Sequence, residues 1–250
     1  MSNYSYYDLQ SENLQSAEEF NINDQGDLYF HGINLKSIID EHGTPLKITF
    51  LPIISKQIQK AKKMFQNARE ELSYKGGYTY CYCTKSSHFA FVLDEVLKND
   101  VHIETSSAFD LPLIENLYSN NKINQEKIIV CNGFKRPEYT TNIIQLINNG
   151  FKNLIPVLDN IDEFNSYNKA VKNRFKIGIR MATEEIPNYN FYTSRLGIDP
   201  EKIVDFYKNK LSNHPRAELT MLHFFINTGI RDHVYYWNDL VSSLPVLLLS

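Results

Sequence analysis

Residues 78–89 read YTYCYCTKSSHF. Side chains along a strand alternate between two faces. Tyr78, Tyr80 and Tyr82 therefore share one face, and Thr79, Cys81, Cys83 and Lys85 share the other. Lys85 is the last residue on the face of small side chains. A lysine there is either a solvated strand end or a placed amine. HFAFVLDEVLKN follows, and it reads as a helix.

The same strand-then-helix unit recurs along the chain. VHIET leads to AFDLPLIENLY, KIIVCN to PEYTTNIIQLINNG, and NLIPVLD to IDEFNSYNKAVKN. FKIGIRMA leads, after a polar loop, to DPEKIVDFYKNKLS, and ELTMLHFFIN to a last helix around DHVYYWNDLV. Six βα units predict a parallel sheet wrapped by helices, either doubly wound or a barrel. No GxGxxG follows the first strand, so the dinucleotide-binding version lacks its fingerprint. In a barrel the reactive groups sit at the C-terminal strand ends. Lys85, Glu104, Asn132 and Asp159 end the first four strands, and Arg180 lies near the end of the fifth. His223, Asn227 and Thr228 lie in or just after the sixth. Strand ends are also polar simply because loops begin there.

Residues 1–75 read as an N-terminal α+β segment and 76–250 as a partial barrel. In the first part, Asp24, Gln25 and Gly26 form a turn before a strand, and NLKSIIDEHG is a helix that Gly43 stops. TPLKITF reads as another strand. Ile54, Ile58, Ala61, Phe65, Ala68 and Leu72 recur every three or four residues and predict an amphipathic helix.

Of the 250 residues 42% are hydrophobic and 22% charged, ordinary for a folded soluble chain. A net charge of −3 gives no electrostatic case for nucleic acid or a membrane surface. Cys81, Cys83 and Cys131 are odd in number, and two share a strand face, which fits reduced thiols in the cytoplasm. A CxC pair without a second cluster is a poor zinc signature, so no metal site is assigned. MSNYSYYDLQ lacks the basic-then-apolar pattern of a signal peptide, and no apolar run is long enough to span a bilayer.

YCYCTKSS resembles the strand that carries the cofactor lysine in barrel-type, alanine-racemase-like pyridoxal-phosphate decarboxylases. VHIETSSAFDL resembles that family's second strand and helix start, and IGIRMAT with SRLGI its arginine-bearing fifth strand and following loop. IIVCNGFKRPEY and INLKSIIDEHGTPLKITFLP are similar to stretches of biosynthetic arginine decarboxylases. The shared order runs from about Tyr7 to about Leu240.

The resemblance implies a (β/α)8 barrel of the TIM type, here incomplete at about six βα units. It implies decarboxylation of L-arginine to agmatine and CO2 at the start of polyamine and spermidine synthesis, with pyridoxal 5'-phosphate as cofactor. Lys85 would be the Schiff-base lysine, at an enclosed strand end that favours its neutral form. Glu104, Arg180, His223, Phe225 and Thr228 would lie against the cofactor. Asp110 falls near it too, or is a helix-start carboxylate favoured by the dipole, and Arg195 lies on the loop after Arg180. Mg2+ enters by resemblance alone, and a homo-oligomer is expected of the full-length family.

Three features depart from that pattern. Where the family stacks a histidine on the cofactor ring, this chain has Phe225, and Asn227-Thr228 replaces a Gly-Ser pair. Phenylalanine stacks but transfers no proton. Six strands stand where a closed barrel has eight. NDLVSSLPVLLLS drops the periodic pattern, an ending expected of a truncated or frame-shifted reading frame. Two further readings follow: a catalytically incomplete relative acting as a binding or regulatory partner, and a decarboxylase of another basic or diamino acid.

Overall fold

The structure is a computed structural model in which residues 20–182 and 196–224 are described. The chain divides at Phe50/Leu51 into two compact units.

In the first unit, β1 (Phe20–Ile22), β2 (Leu28–Phe30) and β3 (Ile33–Asn34) form an antiparallel sheet in chain order. Gly26 turns the first hairpin at φ +83°, a conformation glycine adopts without a steric penalty. Helix α1 (Leu35–His42) starts where the Asn34 side chain accepts from the Ser37 amide at 3.1 Å, and it stops at Gly43. TPLKITF does not form the expected strand. Its Leu46 and Ile48 lie exposed, and apolar alternation without a hydrogen-bonded partner does not make a ladder.

The second unit opens with the expected amphipathic helix, α2 (Pro52–Glu71), whose first turn Pro52 suits. Only Ile58 of its apolar face is buried, against Val92, Val96 and Val101. Phe65 instead stacks on Tyr78 with ring centroids 4.1 Å apart and stays half-exposed, and Leu72 is exposed.

Six strands then run parallel in one sheet: β4 (Cys81–Cys83), β5 (His102–Thr105), β6 (Ile129–Cys131), β7 (Leu154–Leu158), β8 (Phe175–Arg180) and β9 (Ala217–His223). Between them lie α3 (Ala90–Leu97), α4 (Asp110–Ser119), α5 (Pro137–Asn148), α6 (Glu163–Ala170) and α7 (Pro200–Phe206), the last running into a π-helical turn. Spatial order equals chain order. A doubly wound sheet reverses direction at a switch point, and this one does not, which is the barrel arrangement. The helix expected around DHVYYWNDLV lies outside the described residues.

One strand face packs on the helices. Ile103, Ile129, Leu154, Leu158, Ile177 and Ile179 are buried there with Leu111, Ile114, Tyr139, Ile143 and Phe164 from the helices. Each such side chain contributes roughly 1.5–3 kcal/mol on burial. Tyr80 and Tyr82 lie on this helix-facing side.

The other face carries, strand by strand, Cys81 and Cys83, His102 and Glu104, Val130, Ile155 and Val157, Gly178 and Arg180, then Met221 and His223. Keeping that face continuous into β9 needs an irregularity. Ile177 pairs with Leu219, but Gly178 pairs with Met221, so Thr220 is an extra residue. This bulge explains why Leu219 and Leu222, three apart, both pack on the helix side.

Candidate active site

The C-terminal strand ends form a mouth whose parts are held from below. The Thr84 amide donates to the Glu104 carbonyl at 2.9 Å, and the Asn132 amide to the Thr105 carbonyl at 2.9 Å. These bonds carry the parallel ladder one residue past β4 and β6, so Lys85 and Asn132 leave the sheet in fixed directions. Behind them, the Thr105 and Tyr139 hydroxyls lie 2.8 Å apart in the core.

Lys85 stands on a turn closed by the Ser86 amide on the Cys83 carbonyl at 3.1 Å. The Tyr82 hydroxyl donates to the Ser87 carbonyl at 3.0 Å and ties down the far side of that turn. A cleft of about 840 Å³ opens beside it, lined by Lys85, His88, Ser106, Ser107, Phe109 and Asp110 among others. Lys85 is exposed in the described structure, not enclosed as the sequence suggested. Asp110 resolves toward its helix-start role. One carboxylate oxygen accepts from the Ser106 amide at 2.9 Å and from the Ser107 amide and hydroxyl at 3.0 Å each. It shapes the cleft wall by fixing the loop after β5.

Deeper in the mouth, Asn132 joins two other strands. Its Nδ2 donates to Glu104 Oε1 at 3.1 Å and lies 3.1 Å from His223 Nε2. His223 pairs across the ladder with Arg180. Burial, then the positive charges of Arg180 and Lys135, push the His223 imidazole down to about 4, so it is neutral near pH 7. The Asn132 Oδ1 and His223 Nδ1 atoms are buried and have no hydrogen-bond partner among the described residues. Asn132 thus joins Glu104 and His223, Arg180 pairs with His223 across the ladder, and Lys85 stands apart on its turn beside the cleft. Phe225, Thr228 and Arg195 lie outside the described residues.

The thiols below are held in their protonated form. Burial first, then the Glu104 charge, raises Cys81 to about 11, and Cys83 is raised chiefly by burial.

Lys135 is a member that sequence reasoning missed. Its ammonium is buried beneath the mouth and donates to the Gly133 carbonyl at 2.9 Å and to the Val157 carbonyl. Glu163 lies 3.3 Å away and Asp159 3.9 Å. Burial raises both carboxyls, with Lys135 opposing. Asp159, a strand-end polar residue, therefore belongs to this buried cluster. Gly133 is required here: at φ +84°, a Cβ would sit 2.9 Å from the Ser106 carbonyl oxygen. The only sequence signal for Lys135 was its place in IIVCNGFKRPEY, where a lysine between strand and helix looks solvated.

No family model matches the chain. Among curated proteins, the biosynthetic arginine decarboxylase of Prochlorococcus marinus (strain MIT 9215) is 25% identical over 244 residues, 91% of this chain and 36% of that protein. Among solved structures, the biosynthetic arginine decarboxylase of Campylobacter jejuni superposes with a TM-score of 0.69 at 20% identity, over 97% of this chain and 41% of the other.

The chain resembles the biosynthetic arginine decarboxylases.

A mutant of the lysine decarboxylase of Selenomonas ruminantium in complex with PLP shares the fold, at a TM-score of 0.64 and 13% identity over 91% of this chain and 52% of that one. The expected α/β barrel fold is shown by these superpositions. The chain spans a little over a third of the curated arginine decarboxylase and 41% and 52% of the two solved chains.

Proposed function

We propose that the chain binds pyridoxal phosphate at Lys85 and takes part in the decarboxylation of L-arginine to agmatine. The observation that carries this reading is Lys85 at the strand end, with Glu104, Asn132, Arg180 and His223 at the neighbouring strand ends of one face. The residues fit the cofactor in kind. Lys85 brings an amine to an open cleft, and the two orphaned polar atoms, Asn132 Oδ1 and His223 Nδ1, await partners. Pyridoxal phosphate, when bound, supplies an electron sink for the pair left as CO2 departs.

The chain's own groups then have distinct tasks. Lys85 would hold the cofactor through its amine. Arg180 and Glu104 would contribute opposite charges at the neighbouring strand ends. His223, neutral, does not compete with Lys85 for negative charge. Arginine as substrate, a cytoplasmic location, a place in polyamine synthesis, assembly into a homo-oligomer and any use of Mg2+ rest on likeness to the arginine decarboxylases. Among the described residues no helix is long and apolar enough to cross a membrane.

The test is turnover. With pyridoxal phosphate and L-arginine, the chain is expected to release agmatine and CO2 in equal amounts, and to prefer arginine over lysine, ornithine and diaminopimelate. A second reading, a non-catalytic relative that binds a full-length partner, is favoured by Phe225 standing in the sequence where the resemblance expects a histidine. Absence of agmatine together with cofactor on Lys85 selects that second reading.

A further inference from the structure

Asn132 Nδ2 touches two acceptor-capable atoms at once. Glu104 Oε1 lies 3.1 Å from it, and His223 Nε2 also 3.1 Å. An ionised carboxylate only accepts. The amide must therefore turn its NH2 toward Glu104, which fixes which end is nitrogen and which is oxygen. Its second N–H points to His223 Nε2, so Nε2 accepts. A neutral imidazole carries one proton, and with Nε2 as acceptor that proton sits on Nδ1. Most free imidazoles place it on Nε2, so the network selects the less common form.

The consequence lies at the two atoms left over. Asn132 Oδ1 becomes an acceptor and His223 Nδ1–H a donor, both buried and both without a partner among the described residues. Buried polar groups are rarely left unmet. Burial, then the nearby charges of Arg180 and Lys135, keeps the ring neutral near pH 7. Glu104 acts on the ring only through Asn132.

We propose that Asn132 is a positioning residue of the mouth: oriented by Glu104, its amide holds His223 with the proton on Nδ1, and that N–H is the donor His223 offers to an acceptor oxygen of a ligand bound there. The tautomer stands on geometry alone. Its use toward a ligand rests on the cofactor reading above.

Nitrogen-15 NMR of the histidine-labelled chain tests this, with the His223→Gln variant identifying the resonance. Without cofactor, His223 is expected to show a protonated Nδ1 and an unprotonated Nε2, unchanged from pH 8 to pH 6.5. A proton on Nε2, or fast averaging between the two nitrogens, overturns the proposal. Asn132→Asp replaces the donor with an acceptor, so the proton should move to Nε2. Asn132→Leu should release the ring to averaging, and circular dichroism checks that each variant is folded. A ring that keeps Nδ1–H in a folded variant removes Asn132 from the role. On adding pyridoxal phosphate, the wild-type Nδ1 resonance should shift. Labelled Lys85 with an unmoved Nδ1 overturns the ligand contact. Unlabelled Lys85 with the tautomer intact defeats the cofactor reading and upholds the positioning role of Asn132.

Discussion

Arg180 and His223 are direct partners across β8 and β9, although three residues earlier Ile177 pairs with Leu219. Without the bulge at Thr220, an unbroken one-to-one register from Ile177 and Leu219 would pair Arg180 with Leu222 and send His223 to the helix side. The bulge thus brings a histidine to the mouth and keeps both leucines in the core. Deleting Thr220 is expected to leave a regular ladder with the same faces, because Gly178 still pairs with Met221, Ile179 with Leu222 and Arg180 with His223. Urea unfolding should show a loss well below the roughly 2–5 kcal/mol that displacing a large core side chain costs. A loss in that range would contradict the assigned register.

His223 gives the chain a defined acid sensitivity. Its folded value near 4 lies below the ordinary histidine value of about 6.5. Between those values the unfolded chain holds more protons, so stability rises with pH and is lost as pH falls from about 6.5 to 4. The full span is about 3 kcal/mol at 1.36 kcal/mol per unit. Asp159 and Glu163 work the other way. Their raised carboxyls hold protons more firmly when folded, so their contribution falls as pH rises above ordinary carboxylate values. Subtracting the His223→Gln stability curve from the wild-type curve isolates the histidine, and a flat difference would refute its buried, neutral state.

Much of this fold is legible from the chain. The repeat of apolar strand and amphipathic helix sets the parallel sheet, and the polar strand ends point to Lys85, Glu104, Asn132 and Asp159. Local pattern fails where long-range contacts decide. A bulge leaves no mark in alternation, so the face of His223 is invisible until Leu219 and Leu222 are both seen in the core. Lys135 looks like a loop lysine until Asp159 and Glu163, from later in the chain, close around it. TPLKITF alternates well yet has no partner strand among the described residues.

Lys135 is buried with two carboxylates, and its removal leaves them uncompensated. Lys135→Met is expected to cost about 3–5 kcal/mol, because breaking a buried pair strands its charge. The triple variant Lys135→Met, Asp159→Asn, Glu163→Gln should recover most of that loss. Denaturation of the single and triple variants checks both values, and equal stability of the single variant and wild type would show the cluster to be solvated.

Gly178 sits on the inward face where three strands converge. An added Cβ would lie 3.1 Å from Val157 Cγ2 and 3.4 Å from Met221 Cβ. Gly178→Ala is therefore expected to destabilise by about 1–3 kcal/mol, the usual range for overpacking. Pairing it with Val157→Ala should reduce the penalty, read as a non-additive double-mutant cycle.

The central claim is that Lys85 is the cofactor amine. Incubation with pyridoxal phosphate, borohydride reduction and peptide mapping by mass spectrometry ask this directly. The account predicts one dominant adduct on Lys85, absent in Lys85→Ala. Labelling scattered over surface lysines, or a dominant adduct on another lysine, would contradict it.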